Sequence, residues 1–188
     1  MIKKINLYKK IKFFLKKPKL VLLFGSDLDF IEKILLNIEK DIKIIDAANI
    51  KKEDLAFLLR NSISPVLVFK SDKDIPAYKI KTIISNLPPS GAVAFKKDNK
   101  FKENFKSKLS PTQVYSFAVN RKADIKLDDF HKNHGTTFKI EQKGNSVPFW
   151  VEDKLDKDIA LDLLVAIASG IILGKNLVKI SQILKEKH

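Results

Sequence analysis

A chain of 188 residues that is 45% hydrophobic and 31% charged can bury a sizeable core, and this excludes a disordered tail or a low-complexity linker. The absence of cysteine excludes a disulfide framework and a thiolate metal site, and it fits a reducing cytoplasm. The net charge of +14 suggests an anionic partner, yet only Arg60 and Arg121 among the 36 basic residues are arginine, and residues 1–20 hold eight lysines and no acid, leaving +6 for the rest.

In chain order, Ile2, Ile5, Tyr8, Ile11 and Phe14/Leu15 recur at helical spacing among lysines over residues 2–17, and Pro18 closes this basic helix. Leu20–Phe24 reads as a buried strand running into Gly25-Ser26. A helix follows, with Asp27 as its expected cap and Leu28, Ile31, Ile34, Leu35 and Ile38 as its apolar face. Strands are expected at 42–45, 65–69, 91–95 and 113–117, with helices at 51–60, 75–87 and 101–109 between them. This alternation implies a mainly parallel sheet flanked by helices. Three extended segments then follow one another, Ala123–Phe130, Thr136–Gln142 and Ser146–Val151, with Lys143-Gly144-Asn145 as a hairpin turn, so an antiparallel region is expected. Helices at 158–173 and 177–187 end the chain. The expected organisation is a basic helix over 1–18 and a single α/β domain over 19–188. The longest apolar run, Leu163–Leu173, falls short of the ~18–20 residues that a membrane span needs. The lysine-interrupted N-terminus lacks the apolar core of a signal peptide.

The strand-to-helix junction at Gly25 is where a phosphate loop would sit. Such a loop wants G-x-x-x-x-G-K-[ST]: glycines for close backbone approach, a lysine to neutralise phosphate and a hydroxyl for magnesium. Here the turn reads Gly25, Ser26, Asp27, Leu28, Asp29, Phe30, without a second glycine and without lysine. Asp27 and Asp29 suit the positive end of a helix better than they suit a phosphate.

Other candidate groups read as structural. His131 and His134 have H-x-x-H spacing but no further ligand, and are expected in a solvated loop. Asp128-Asp129 and Glu152-Asp153 are adjacent on strands, point to opposite faces and read as solvated edges. No G-x-S-x-G nucleophile setting occurs. Phe149 and Trp150 are expected in packing. No metal, no cofactor and no catalytic residue is assigned.

Four stretches, LPPSGAVAF (87–95), KADIKLDDF (122–130), GTTFKIEQKGNSVPFWV (135–151) and LLVAIASGIILGKNLVKISQIL (163–184), together resemble the central domain of the Mur ligases, closest to the D-alanyl-D-alanine-adding ligase. These ATP-dependent enzymes build the peptide stem of peptidoglycan. KKPKLVLLFGS (16–26) is similar to the lead-in to their ATP loop. The resemblance implies a Mur-ligase-like central-domain fold, and it places the family's loop lysine on Asp29, its second glycine on Leu28 and its threonine on Phe30. Reversing the charge at the lysine position opposes a contact of about 4 kcal/mol at ~4 Å and an effective dielectric of ~20. The family's asparagine and histidine after the third strand have no counterpart in 70–74. Its adenine-site pair falls on Asp158 and Ile159, and the interval before the third strand is short for its metal-binding glutamate. The resemblance does not cover the family's UDP-substrate and amino-acid domains.

These departures imply a non-catalytic remnant serving as a binding or scaffold module tied to cell-wall synthesis, with no Mg-ATP at the turn. The alternatives are a component of a split ligase that handles ATP or a UDP-linked precursor, and a lysine-rich nucleic-acid or membrane-surface binder. Docking of the N-terminal helix on its own domain, on a second copy or on a protein partner is expected ahead of an anionic membrane or nucleic acid. A sharply amphipathic membrane helix would have a tighter stripe than Ile2, Ile5, Ile11 and Phe14 provide.

Overall fold

The computed structural model describes residues 7–25, 28–71, 75–98 and 102–186. In chain order the elements are α1 (Leu7–Lys16), β1 (Lys19–Phe24), α2 (Asp29–Ile38), β2 (Ile42–Asp46), α3 (Lys52–Arg60), β3 (Pro65–Phe69), α4 (Ala77–Asn86), β4 (Ala92–Lys96), α5 (Lys102–Lys106), a 3-10 turn at Pro111–Gln113, β5 (Val114–Val119), β6 (Ile125–Asn133), β7 (Gly135–Gln142), β8 (Asn145–Val151), α6 (Lys157–Ile172) and α7 (Leu177–Lys185). They form two compact units, one of Met1–Ser26 with Asp41–Val114, the other of Asp27–Lys40 with Tyr115–His188.

In the first unit the strand order is β2-β1-β3-β4, all parallel, as the β–α alternation predicts. β1 and β3 are apolar along nearly their whole length because they are buried on both faces. Leu22, Leu67 and Val93 lie side by side, as do Phe24, Phe69 and Phe95 one step further along. These residues share one core with Leu55, Leu58 and Leu59 of α3, Ile80 and Ile83 of α4 and Phe105 of α5. The phenylalanines stack, Phe24 on Phe69 at 4.5 Å between centroids and Phe69 on Phe95 at 4.7 Å, with Phe105 tilted against the last two.

Two local devices close this unit. Gly91 opens β4 where a Cβ would sit 2.5 Å from Leu87 Cδ1 and 3.0 Å from Pro65 Cγ, so only glycine fits. The Gln113 side chain donates to the carbonyls of Pro88 (2.9 Å) and Gly91 (3.0 Å), stapling the 3-10 turn to the Pro88–Gly91 bend.

α1 docks on α3. Lys10 pairs with the buried carboxylate of Asp54 at 2.6 Å and lies 5.5 Å above the Phe57 ring, and Phe13 packs against Phe57 at 6.1 Å. This corrects the expected face. Ile11 and Phe14 are exposed, because Asp54 draws Lys10 inward and Phe13 follows it one turn on. Ile2 and Ile5 lie outside the described residues.

In the second unit β6, β7 and β8 form the expected antiparallel meander. Lys143 (φ 50°) and Gly144 (φ 80°) supply the two positive-φ positions of its tight turn. β6, by contrast, pairs parallel to β5 across only residues 120–124. Parallel neighbours ordinarily need a crossover of a dozen or more residues. Here Asp124 makes the short return: its carboxylate accepts from Ser116 N–H (2.7 Å) and Ser116 Oγ (2.5 Å), and its own N–H donates to that Oγ (3.1 Å).

α2 packs with α6 and α7 in this unit, and α7 also covers β8. A Cβ on Gly170 would meet Ile38 Cγ2 at 2.7 Å, so the glycine allows α6 to approach α2. Asp156 caps α6 by accepting from the N–H groups of Asp158 (3.0 Å) and Ile159 (2.8 Å).

Phe69 touches every ring of the first unit's stack, so Phe69→Ala should cost about 3–5 kcal/mol. Urea unfolding would measure this; a loss under ~1 kcal/mol would mean that the stack carries little of the stability.

Candidate functional site

The order β2-β1-β3 makes β1 the point at which the connections diverge, and open α/β sheets bind ligands at the carboxyl end of such a strand. At that end of β1 stands Gly25. A Cβ there would lie 3.1 Å from Lys70 Cβ, and the Lys70 N–H donates to Phe24 O at 3.0 Å. A side chain at this position would thus crowd the chain leaving β3.

Ser26 and Asp27, and with Asp27 the expected helix cap, lie outside the described residues. Leu28 holds the N-cap position of α2, in αR conformation and without a side-chain cap bond. Its carbonyl accepts from Glu32 N–H at 2.9 Å. Asp29 and Glu32 occupy the first turn, where they offset the helix dipole. Phe30 is half-buried.

A cation does stand near the end of β1, on a residue that sequence reasoning passed over. Lys79 of α4 is 3% exposed. Its ammonium donates to Ala47 O at 3.0 Å and to Ala48 O, and it lies 6.0 Å from the Phe24 ring centroid. Burial pushes its pKa down from 10.5, opposed by the charge of Asp46. The ammonium thus fastens the backbone leaving β2 to the inside of the unit. The signal was present: Lys79 falls with Ile80, Thr82 and Ile83 on the buried arc of α4.

The other candidates lie in the second unit. His134 lies between β6 and β7 at the hairpin tip, as expected of a loop, whereas His131 stands within β6, which runs on to Asn133; both are exposed. Among the described residues no group of three or more His, Cys, Asp or Glu could hold a metal. Asp128 and Asp129 flank an irregularity in which Asp129 has φ 51°, and both are ion-paired, not merely solvated. Asp129 meets Lys139 at 2.6 Å, and Asp128 meets Lys126. The hydrogen bond that Lys126 donates holds the Asp128 carboxyl below its usual range, and donating to Asp128 and Asp129 raises Lys126 and Lys139 above theirs. Glu152 and Asp153 are exposed, as expected.

Phe149 and Trp150 separate across the strand. Phe149 is buried and stacks on Phe138 at 5.3 Å. Trp150 is half-exposed on the other face, opposite Thr137, which in turn pairs with His131. Around them lies a groove of about 710 Å³, also lined by Asp129, Lys139, Pro148, Ser181 and Lys185. It sets the Trp150 indole beside the paired Asp129 and Lys139 and the Ser181 hydroxyl. The hairpin beneath is fixed by Gly135 (φ 125°), where a Cβ would meet Val151 O at 2.6 Å. Thr136 Oγ1 fixes it further, donating to Asp153 O at 2.6 Å and accepting from Leu155 N–H at 2.9 Å.

The sequence matches no family model and no curated protein. The fold does match solved structures. MurF from Acinetobacter baumannii superposes with a TM-score of 0.70 at 10% identity, over 96% of this chain and 48% of that one. MurF ligase from Thermotoga maritima, solved in complex with ADP, gives 0.68 at 11%, over 93% and 50%. A pseudomurein peptide ligase type C from Methanothermus fervidus gives 0.66 at 13%, over 98% and 52%. The chain therefore has the fold of the Mur ligase central domain and spans about half the length of these solved ligases.

The lowered pKa of Lys79 has a consequence for stability. The unfolded chain holds this proton more tightly than the folded protein does, so stability rises with pH in the window below 10.5 and levels off above it. Wild type should therefore gain stability relative to Lys79→Met as pH is raised towards 10.5, read from denaturant unfolding of both proteins; parallel pH profiles would contradict the assignment.

Proposed function

We propose that this chain is a Mur-ligase-like module that keeps the fold without the nucleotide chemistry and serves as a binding or scaffold element in peptidoglycan synthesis. One observation carries the reading: the helix end that would receive a phosphate bears Asp29 and Glu32 in its first turn, with Leu28 at its cap position. Anions are favoured at a helix N-terminus only while its partial positive charge is uncompensated. The residues that carry the resemblance support the same view, since each has a packing task. Gly91 admits Leu87 and Pro65, Asp124 returns the chain to β6, Gly135 and Thr136 fix a hairpin, and Gly170 admits Ile38. None of them requires a nucleotide. The link to peptidoglycan rests on the ligases that share the fold.

Two measurements test this reading. Calorimetry with Mg-ATP at millimolar concentration should give no saturable heat; submicromolar binding that disappears when the Gly25–Phe30 turn is altered would refute it. The ligand face of the module is the groove beside Trp150. Trp150 is the sole tryptophan, so its emission reports that groove directly. Titration with UDP-linked muramoyl peptides should shift or quench the emission with saturation. A flat response to every precursor tried would remove the groove from the proposal.

A further inference from the structure

Among the described side chains of α1, two contacts to its unit stand out on one side. Lys10 and Phe13 face Asp54 and Phe57, while Tyr8, Ile11, Phe14 and Leu15 are 74%, 51%, 52% and 75% exposed. At ~100° per residue, with Tyr8 at zero, Leu15 falls at about 340°, Ile11 at about 300° and Phe14 at about 240°. The exposed apolar arc is thus about 120° wide. Lys12 and Lys16, both exposed, follow at about 40° and 80° along one border. This is a tighter stripe than the sequence suggests, because Phe13 and Lys10 are committed to the inner side.

We propose that this stripe seats the protein on an anionic lipid surface, with α1 lying in the interface plane. A helix with aromatic and aliphatic residues on one face and lysines beside them matches such a surface in both respects, apolar area for the acyl boundary and positive charge for the headgroups. The charge pattern selects this occupant over the others. Residues 1–20 contain eight lysines and no acid, so a second copy docked through the same stripe would set like charge against like. Nucleic acid would engage the lysines but leave Ile11 and Leu15 in water. No helix among the described residues is long and apolar enough to cross a membrane, so the attachment is peripheral. The inference does not depend on the state of the nucleotide loop.

Co-sedimentation of the full chain with vesicles of phosphatidylcholine alone, and with phosphatidylglycerol added, tests it. Binding should be at least about tenfold stronger to the anionic vesicles and should weaken with salt. Ile11→Asp with Leu15→Asp should abolish it while the thermal midpoint stays unchanged, since both side chains are exposed. Lys12→Glu with Lys16→Glu provides a second variant that leaves the apolar stripe intact, and it should also lose anionic-vesicle binding. Equal binding to both vesicle types, or wild-type binding by both double variants, would overturn the proposal. So would a dimer in sedimentation velocity that the Asp variant dissociates without any change in vesicle binding.

Discussion

Three phenylalanines in register, Phe24, Phe69 and Phe95, stack across β1, β3 and β4, and the first unit is organised by that contact. Each ring ends or nearly ends its strand, so the stack pins the parallel register at the carboxyl edge. A one-residue slip of any of these strands would turn its ring to the other face and break the stack. Phe105 closes the row, and α3 and α4 attach to the same surface. Aromatic hydrocarbon fills the core side beneath Gly25, and the ammonium beside it, that of Lys79, is already held by the Ala47 and Ala48 carbonyls.

The second unit solves a different problem with polar groups. Its chain reverses from β5 into a parallel β6 within five residues, and the Ser116–Asp124 clamp makes this possible. Thr136 plays a similar part for the strap after β8, and Ser181 Oγ donates to Pro148 O at 2.8 Å to seat α7 on that strand. These hydrogen bonds satisfy backbone groups that regular pairing leaves without partners. Such steric and local requirements are compatible with the ligase architecture being kept at 10–13% identity.

Much of the architecture was legible in the sequence, for identifiable reasons. The apolar run at 20–24 read directly as a buried strand, 65–69 as a strand, and Lys143-Gly144-Asn145 as a hairpin turn. What stayed hidden depended on contacts between distant residues. The inward face of α1 is set by Asp54, some forty positions away, and periodicity cannot see it. The parallel pairing of β6 with β5 depends on one carboxylate, in a stretch whose length suggests a hairpin. Lys79 was passed over because a lysine in a helix usually lies in solvent, although its neighbours on the helical wheel are buried. At the nucleotide turn the residues that are missing were plain, while the structural reason for the one that remains, Gly25, required Lys70 to be in place.

The division of the chain also bears on how separable its parts are. Residues 27–40 interrupt the first unit and belong to the second, where Ile31, Ile34, Leu35 and Ile38 are buried and α2 packs with α6 and α7. A simple truncation at position 114 would strip that helix of its partners and leave an oily face in water. Isolating the parallel sheet as a portable building block would instead mean excising the helix and splicing the end of β1 to the start of β2. The two units are thus interleaved along the gene, and recombination that exchanged one at a single breakpoint would damage both.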